Sequence, residues 1–103
     1  MTRGVYGQVD SSNGQGGVVG YASATSGRTP AVLGTIGSPA GVAVQGNGGP
    51  GRGGLFSGRT AQVRLSPAAT AMHPHTGQAG DLFVDKSHRL WFCKGGTTWK
   101  QIA

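Results

Sequence analysis

The sequence has little or nothing of several residue types on which common protein classes depend. Its 103 residues include one cysteine, Cys93, no glutamate and only three aspartates. A single cysteine excludes an internal disulfide and any zinc site made of cysteines alone. Leu, Ile, Val and Phe together number 19, which is too few for one chain to bury a generous core. Composition alone is therefore typical of disordered chains, and evidence for a fold must come from the order of the residues.

Long apolar runs are also missing. No stretch approaches the roughly 20 residues that a membrane span needs, and the first residues, Met1-Thr2-Arg3-Gly4, lack the apolar segment of a signal peptide. These absences predict no membrane partner. The formal net charge is +6, but the basic residues are scattered. The charge therefore favours weak adhesion to polyanions such as nucleic acid over a defined binding site.

Glycine, by contrast, is abundant and unevenly distributed. Of the 21 glycines, 17 lie within residues 1–58. Near Arg59 the composition changes to charged, aromatic and alternating apolar residues. This change predicts a Gly-rich repeat shaft over residues 1–61 and a C-terminal cap over residues 62–103, with a loop at 66–80.

The Gly-rich part contains an irregular repeat of short β-branched or aromatic stretches with glycine at each end. The units are Gly4–Gly7, Gly17–Gly20, Gly34–Gly37, Gly41–Gly46 and Gly54–Gly58. Gly and β-branched residues are poor helix formers, so the units predict very short strands joined by glycine turns, as in a β-helix. One chain would bury too little apolar surface per turn to offset an ordering cost of about 1–2 kcal/mol per residue. Three chains would pool their apolar residues and pair their strands, so we expect an intertwined homotrimeric β-helix.

The cap has conventional β-strand patterns. Strands are predicted at 81–85, 89–94 and 97–102, separated by turns at 86–88 and 95–96. Residues 62–65 also alternate and form a candidate fourth strand. The expected fold class is all-β, with the cap as a small antiparallel β-meander. The side chains expected to pack the cap are large and apolar: Phe83, Leu90, Trp91, Phe92 and Trp99.

The order of these motifs resembles a known group of proteins. A Gly-Val-Tyr-Gly type of repeat precedes an Arg-Leu-Ser-Pro strand and closing Gly-Asp-Leu-Phe-Val-Asp, Leu-Trp-Phe-Cys and Gly-Gly-Thr-Thr-Trp-Lys segments. This arrangement resembles the Gly-rich fibre proteins of bacteria and their phages, including tail fibres and tail spikes, in which a trimeric β-helix shaft ends in a compact C-terminal β cap. The resemblance implies a non-catalytic structural protein of a cell surface or virion, located outside the cell. Because a repeat unit begins only three residues after Met1, we expect the chain to be the tip of a longer fibre.

Two candidate ligand sites follow from the same residues. His73 and His75 are two apart, so in an extended chain their imidazoles point to one side. Three copies around an axis would present six imidazoles, a set that suits a transition-metal ion, and the resemblance to phage fibre tips raises this possibility. The alternative is a solvated loop, because the pair is single and lies in a Pro-rich segment that more often runs outside a core. Trp99, Arg52 and Arg59 are candidates for a surface that recognises cell-surface glycan, with packing as the alternative for the tryptophan.

Catalysis has little support in the sequence. Cys93 lies within a predicted strand and is expected to be a buried structural thiol, and Asp85 is expected to shape a turn through its side chain. No nucleophile, base and orienting group come together in the pattern, so we predict that the protein is not an enzyme. Structural trimerisation at a fibre tip is the leading interpretation. Glycan recognition comes second, and non-specific nucleic-acid binding through basic Gly/Arg segments comes third.

Overall fold

The computed structural model describes residues 3–103, and its strands lie in the C-terminal part of the chain. Strand β1 spans Leu82–Val84, β2 spans Leu90–Gly95 and β3 spans Thr98–Gln101; together they form one antiparallel sheet in the order β1-β2-β3. The described residues contain no helix. The all-β class and the antiparallel meander expected from the sequence are confirmed.

The chain divides into two compact units, Met1–Gly51 and Arg52–Ala103, and the second unit contains the whole sheet. The boundary after residue 61 rests on composition and stays a prediction. Between residues 3 and 103 no helical segment has the length and apolar character needed to cross a membrane.

The β1–β2 hairpin closes through a turn at Asp85–His88. The amide of His88 donates to the carbonyl of Asp85 at 2.9 Å, and the amide of Asp85 donates to the carbonyl of Arg89 at 3.0 Å. His88 has a φ of 64°, a left-handed conformation that β-hairpins often place after a type I turn and that glycine adopts most easily. The turn therefore forms with one residue held against its intrinsic preference.

Glycine supplies the second turn, between β2 and β3. Gly95 and Gly96 have φ values of 116° and 58°, which side chains with a Cβ adopt at a cost. The β2–β3 register shifts between Cys93 and Gly95, so the hairpin contains an irregularity where the glycines lie. The sequence predicts the turn at 95–96; the structure places it one residue later, at Gly96–Thr97, because Gly95 still belongs to β2 and pairs with Thr98.

The loop at 66–80 is hydrogen-bonded to both ends of the sheet. Beside β1, the amide of Ala68 donates to the carbonyl of Val84 at 3.0 Å, and the amide of Lys86 donates to the carbonyl of Ala71 at 2.9 Å. At the other end, the amide of Gly77 donates to the carbonyl of Gly96 at 2.9 Å. Residues 62–65 form no strand. The fourth-strand prediction is wrong because the loop already bonds to the backbone beside β1.

Residues 3–65 are organised in a different way from the cap. They contain no strand, and within this described segment only two backbone–backbone hydrogen bonds form, from Gly41 to Ser38 and from Gly51 to Gly48. Backbone N–H and C=O groups in folded proteins are nearly always paired with protein or water. The very short strands that the sequence predicts here do not form within one chain.

The chain nevertheless passes close to itself at three regularly placed glycines. A Cβ at each would lie 2.5–2.8 Å from the carbonyl oxygen of a residue further along, which only glycine avoids; the pairs are Gly7 with Gly17, Gly20 with Ala31, and Gly34 with Ala43. Successive crossings are 13 and 14 residues apart. This spacing is close to the 13 residues that separate Gly4 from Gly17 in the sequence repeat.

Every large apolar side chain between residues 3 and 65 is exposed. The exposed fraction ranges from 41% at Leu65 to 90% at Leu55. The set is Val5, Tyr6, Val9, Val18, Val19, Tyr21, Val32, Leu33, Ile36, Val42, Val44, Leu55, Phe56, Val63 and Leu65. A folded single chain rarely leaves so many apolar side chains in water.

Candidate functional site

The register of the cap sheet gathers the large side chains of one face. Phe83 lies opposite Trp91, and Cys93 lies opposite Trp99. Directly paired residues of antiparallel strands project from the same face. We call these four residues the covered face, because residues of the 66–80 loop contact them.

His73 of the loop packs between the two tryptophans. Its ring centroid lies 4.4 Å from that of Trp91 in an edge-on arrangement and 5.1 Å from that of Trp99 in a stacked one. Its Nδ1 donates to the carbonyl of Pro74 at 2.8 Å. The ring of Phe83 meets Trp99 edge-on at 6.5 Å. Aromatic pairs in these geometries contribute about 0.5–1.5 kcal/mol beyond the area they bury, so His73 anchors the loop to the sheet.

Gly77 is the second point where the loop meets the covered face. A Cβ added there would lie 2.7 Å from Cζ2 of Trp99 and 3.1 Å from both Sγ of Cys93 and Oδ2 of Asp81. Only a glycine allows the loop backbone to approach this closely. The thiol of Cys93 is fully buried and forms no disulfide, which matches its expected structural role.

Asp85 is a buried carboxylate whose oxygens are fully occupied. Oδ1 accepts the amides of Ser87 at 2.8 Å and Arg89 at 3.1 Å. Oδ2 accepts Nε of Arg89 at 2.9 Å and the indole N–H of Trp91 at 2.8 Å. The carboxylate thus joins the hairpin turn to β2, and its role in shaping the turn is shown directly.

The same contacts determine the ionisation of Asp85. Burial disfavours the charged carboxylate, but the hydrogen bonds from Trp91, Arg89 and Ser87 outweigh that effect. They hold the pKa of Asp85 well below its usual range. The group therefore remains a charged acceptor through the neutral and mildly acidic range, with no lone pair left to take a substrate proton.

Trp99 contains a buried polar group that lacks a partner. Its Nε1 is buried, and among the described residues it has no hydrogen-bond acceptor. Trp91 and Trp99 therefore differ sharply although both are half-buried and contact His73. One indole N–H is bonded to a carboxylate, and the other is not bonded.

The structure separates the two histidines predicted to bind metal. His73 is half-buried under the loop, with Nδ1 committed to Pro74, while His75 is exposed. Residues 3–103 contain no cluster of three or more His, Cys, Asp or Glu side chains within one chain. A site shared between copies would draw on other chains, so the axial metal ion stays a prediction.

The three residues predicted to form a glycan surface are likewise not joined. Arg52 and Arg59 are exposed, and in the described part of the chain no hydrogen bond or ring contact links either to Trp99. One ring face of Trp99 is taken by His73. Glycan recognition through these residues stays a prediction.

The packing residues predicted for the cap fall on opposite faces of the sheet. Phe83, Trp91 and Trp99 belong to the covered face, whereas Leu90 and Phe92 project from the other face. All five are half-buried. Sequence reasoning missed His73 and Gly77 as packing residues. The signal that could have found them is the set of three aromatics on one face, which needs a cover that only the 66–80 loop can provide.

Comparisons with known proteins give no relative from which a role could be transferred: no family model, curated protein or solved structure matches the chain.

Proposed function

We propose that the chain is a non-catalytic structural module that assembles as a homotrimer, in which residues 1–61 form an intertwined β-helical shaft and residues 62–103 close its end. The observation that carries this proposal is the state of residues 3–65. All of their large apolar side chains are exposed, and almost none of their backbone groups pair within the chain. Neighbouring strands would cover the apolar side chains and would pair with the free backbone groups.

Further copies of the same chain are the simplest source of those strands. Fully burying one Val, Leu, Ile or Phe side chain contributes about 1.5–3 kcal/mol. A copy presents the same Gly-bracketed units at the same spacing, so each unit meets an equally short partner strand. The close approaches at Gly7, Gly20 and Gly34 recur every 13 or 14 residues and each joins residues 9 to 11 apart, so the backbone path of residues 7–43 repeats at nearly the spacing of the sequence units.

Three copies fit better than two because they can surround an axis. Two paired chains leave an open strand edge on each side, and open edges are sites of uncontrolled association. Three chains wound together pair every strand with a neighbour and direct one apolar row per chain inward. The small residues of the shaft allow the backbones to come close at the axis. In this proposal the module is the end of a fibre, with mechanical and assembly roles.

The solution mass tests the proposal directly. The chain has a mass of 10.4 kDa, so light scattering coupled to size-exclusion chromatography should give about three times that value. Far-UV circular dichroism should show β structure well beyond the short strands of the cap. A monomer without cooperative unfolding would contradict the assembly.

A matched pair of variants identifies the shaft as the source of the trimer. Val18→Asp introduces a charge at an exposed apolar position of a repeat unit, and we expect it to shift the protein towards monomer. Ser12→Asp introduces the same charge at an exposed polar position in a turn, and we expect it to leave the mass unchanged. Equal behaviour of the two variants would mean that the exposed apolar residues do not form the contact.

A further inference from the structure

The cap sheet has a second face, and that face is apolar and open. By the register, Leu82 lies opposite Phe92 and Val84 opposite Leu90, on the side away from Trp91 and Trp99. The amides of Ile102 and Ala103 both donate to the carbonyl of Leu90, at 2.7 and 3.3 Å, and the amide of Leu90 donates to the carbonyl of Ala103 at 2.6 Å. Both residues therefore lie opposite Leu90, as in a β-bulge just beyond β3. We call the five side chains of this side the cap face: Leu82, Val84, Leu90, Phe92 and Ile102.

No residue of the cap face is buried in the described chain. Leu82 and Ile102 are 54% and 56% exposed, and the other three are half-buried. The 66–80 loop lies on the opposite face, where its His73 and Gly77 contact the tryptophans. One side of the sheet is thus packed and the other is not.

The cap face is arranged in rows that run across the strands. Val84, Leu90 and Ile102 form a row that is apolar from end to end, while the next row ends at Lys100, which pairs with Phe92. Lys94 is also on this side, nearer the Gly96–Thr97 turn. Apolar character is therefore concentrated away from that turn, and positive charge is concentrated near it.

We propose that the cap face is the surface through which the caps of assembled copies pack against one another, with the Val84–Leu90–Ile102 row at the centre of the contact. This inference rests on the proposed homotrimer and assigns it a surface in the cap. The partner that covers the cap face is a second copy of this chain. Three observations support this choice: the connection of the cap to the shaft, the small size of the cap face, and the lysines beside it.

Continuity of the chain brings the caps together. Residues 52–65 belong to the same compact unit as the sheet, and their exposed apolar side chains, such as Leu55 and Phe56, require partners in the same way as the rest of the repeat. If copies pair along these residues, their caps lie at the same end of the assembly. Short connections of this kind give effective concentrations in the millimolar range.

The size of the cap face also favours a tethered copy. A stable interface between independent proteins usually buries about 800 Å² on each partner, from roughly 20–30 residues. Five side chains fall far short of that, so an unrelated protein would bind this face weakly. A copy that the shaft already holds nearby does not need so large a contact.

Charge sets the orientation of the packed caps. Lys94 and Lys100 lie on the same side of the sheet as the cap face, and no acidic residue of the cap accompanies them, because Asp81 and Asp85 contact the loop side and the turn. Face-to-face contact along the whole sheet would bring lysines of different copies together. Contact through the Val84–Leu90–Ile102 row keeps the ammonium groups at the rim, where they stay hydrated.

Cysteine cross-linking of the full chain tests the proposal. Ile102→Cys places a thiol in the central row, and Gln101→Cys places one on the neighbouring residue, which is exposed and projects from the opposite face. Under mild oxidation, the first variant should give disulfide-linked dimers on a non-reducing gel, since bridging requires Cβ atoms about 3.5–4.5 Å apart. The second should give few. The unmodified chain is the background control, because Cys93 is buried.

A second pair keeps the test decisive if oxidation is inefficient. Ile102→Lys should lower the Tm of the assembled protein by about 5–10 °C, while Gln101→Lys should leave it within a degree or two. The protein could be a trimer and yet show the same cross-linking and the same Tm for variants at positions 101 and 102. That result would overturn the cap-face contact and leave the proposed function standing. A monomeric unmodified chain, seen by light scattering before any variant is compared, would overturn both.

Discussion

Replacing each tryptophan of the covered face by phenylalanine should show how differently two indole N–H groups contribute to stability, since one is hydrogen-bonded and the other is not. Nε1 of Trp91 donates to Oδ2 of Asp85 at 2.8 Å, whereas Nε1 of Trp99 is buried without an acceptor among the described residues. Both rings are half-buried and both contact His73. Each substitution removes the same atoms, so the loss of apolar contact is similar. The difference in unfolding free energy between the variants then reports the hydrogen bond.

The expected difference follows from the energetics of paired and unpaired donors. A hydrogen bond to a charged acceptor stabilises by about 1.5–3 kcal/mol, and a buried donor without a partner costs about 1–3 kcal/mol. Trp91→Phe loses the former, while Trp99→Phe relieves the latter and so offsets part of the loss of its ring. The two effects add, so we expect Trp91→Phe to be the more destabilising variant by about 2.5–6 kcal/mol per chain.

Urea unfolding measures this difference, because each variant retains one tryptophan as a fluorescent reporter. The two variants and the unmodified chain are compared at equal chain concentration, since self-association makes apparent stability depend on concentration. Linear extrapolation then gives the free energies. Equal losses, or a larger loss for Trp99→Phe, would refute the assignment of the two indole groups.

Three further predictions concern the turn and the loop. Because folding lowers the pKa of Asp85, its contribution to stability is complete above about pH 5, where an unfolded aspartate is also ionised, and is lost progressively as the pH falls through the unfolded pKa of about 4 towards the lower folded pKa. The Tm advantage of the unmodified chain over Asp85→Asn should therefore shrink between about pH 5 and about pH 2.5. Gly77→Ala should destabilise by about 1–3 kcal/mol, because its Cβ would overlap Trp99, and an unchanged urea midpoint would contradict the close approach. His88→Gly should stabilise by about 0.5–1 kcal/mol, since glycine relieves the left-handed φ at an entropic cost; Ser87→Gly, which has no such φ to relieve, should not, and thermal melts of both variants provide the comparison.

The sheet could be predicted from the sequence because its signals are local. Alternating apolar residues, the Lys86–His88 turn and the Gly95–Gly96 pair each define their structure within a few residues. Antiparallel neighbours joined by short turns need no information from elsewhere in the chain. The turn role of Asp85 was predictable for the same reason, since an aspartate before a tight turn bonds to amides two residues onward.

The loop at 66–80 could not be predicted because its structure depends on distant contacts. Its Pro and Gly residues predict irregular backbone, which is what the structure shows. Nothing in the spacing of His73 and Gly77 indicates that they meet Trp91, Trp99 and Cys93. Those contacts become evident only once the strand register places the aromatics on one face. The failed strand at 62–65 has the same origin, since alternation alone cannot tell which segment reaches the edge of β1.

The two parts of the chain satisfy their backbone groups in different ways, and this difference suggests the order in which they form. The cap pairs its own strands and adds the loop from Ala68 to Gly80, so it can fold before any copy is met. Local hairpins also form faster than pairings between chains. Residues 3–65 expose their large apolar side chains and pair few backbone groups within the chain, so in the proposed trimer their order would follow association. The Gly-bracketed units resemble one another and can pair out of step, whereas the Val84–Leu90–Ile102 row occurs once per chain. A cap that forms first and then packs through that unique row would place three shafts in register before they wind.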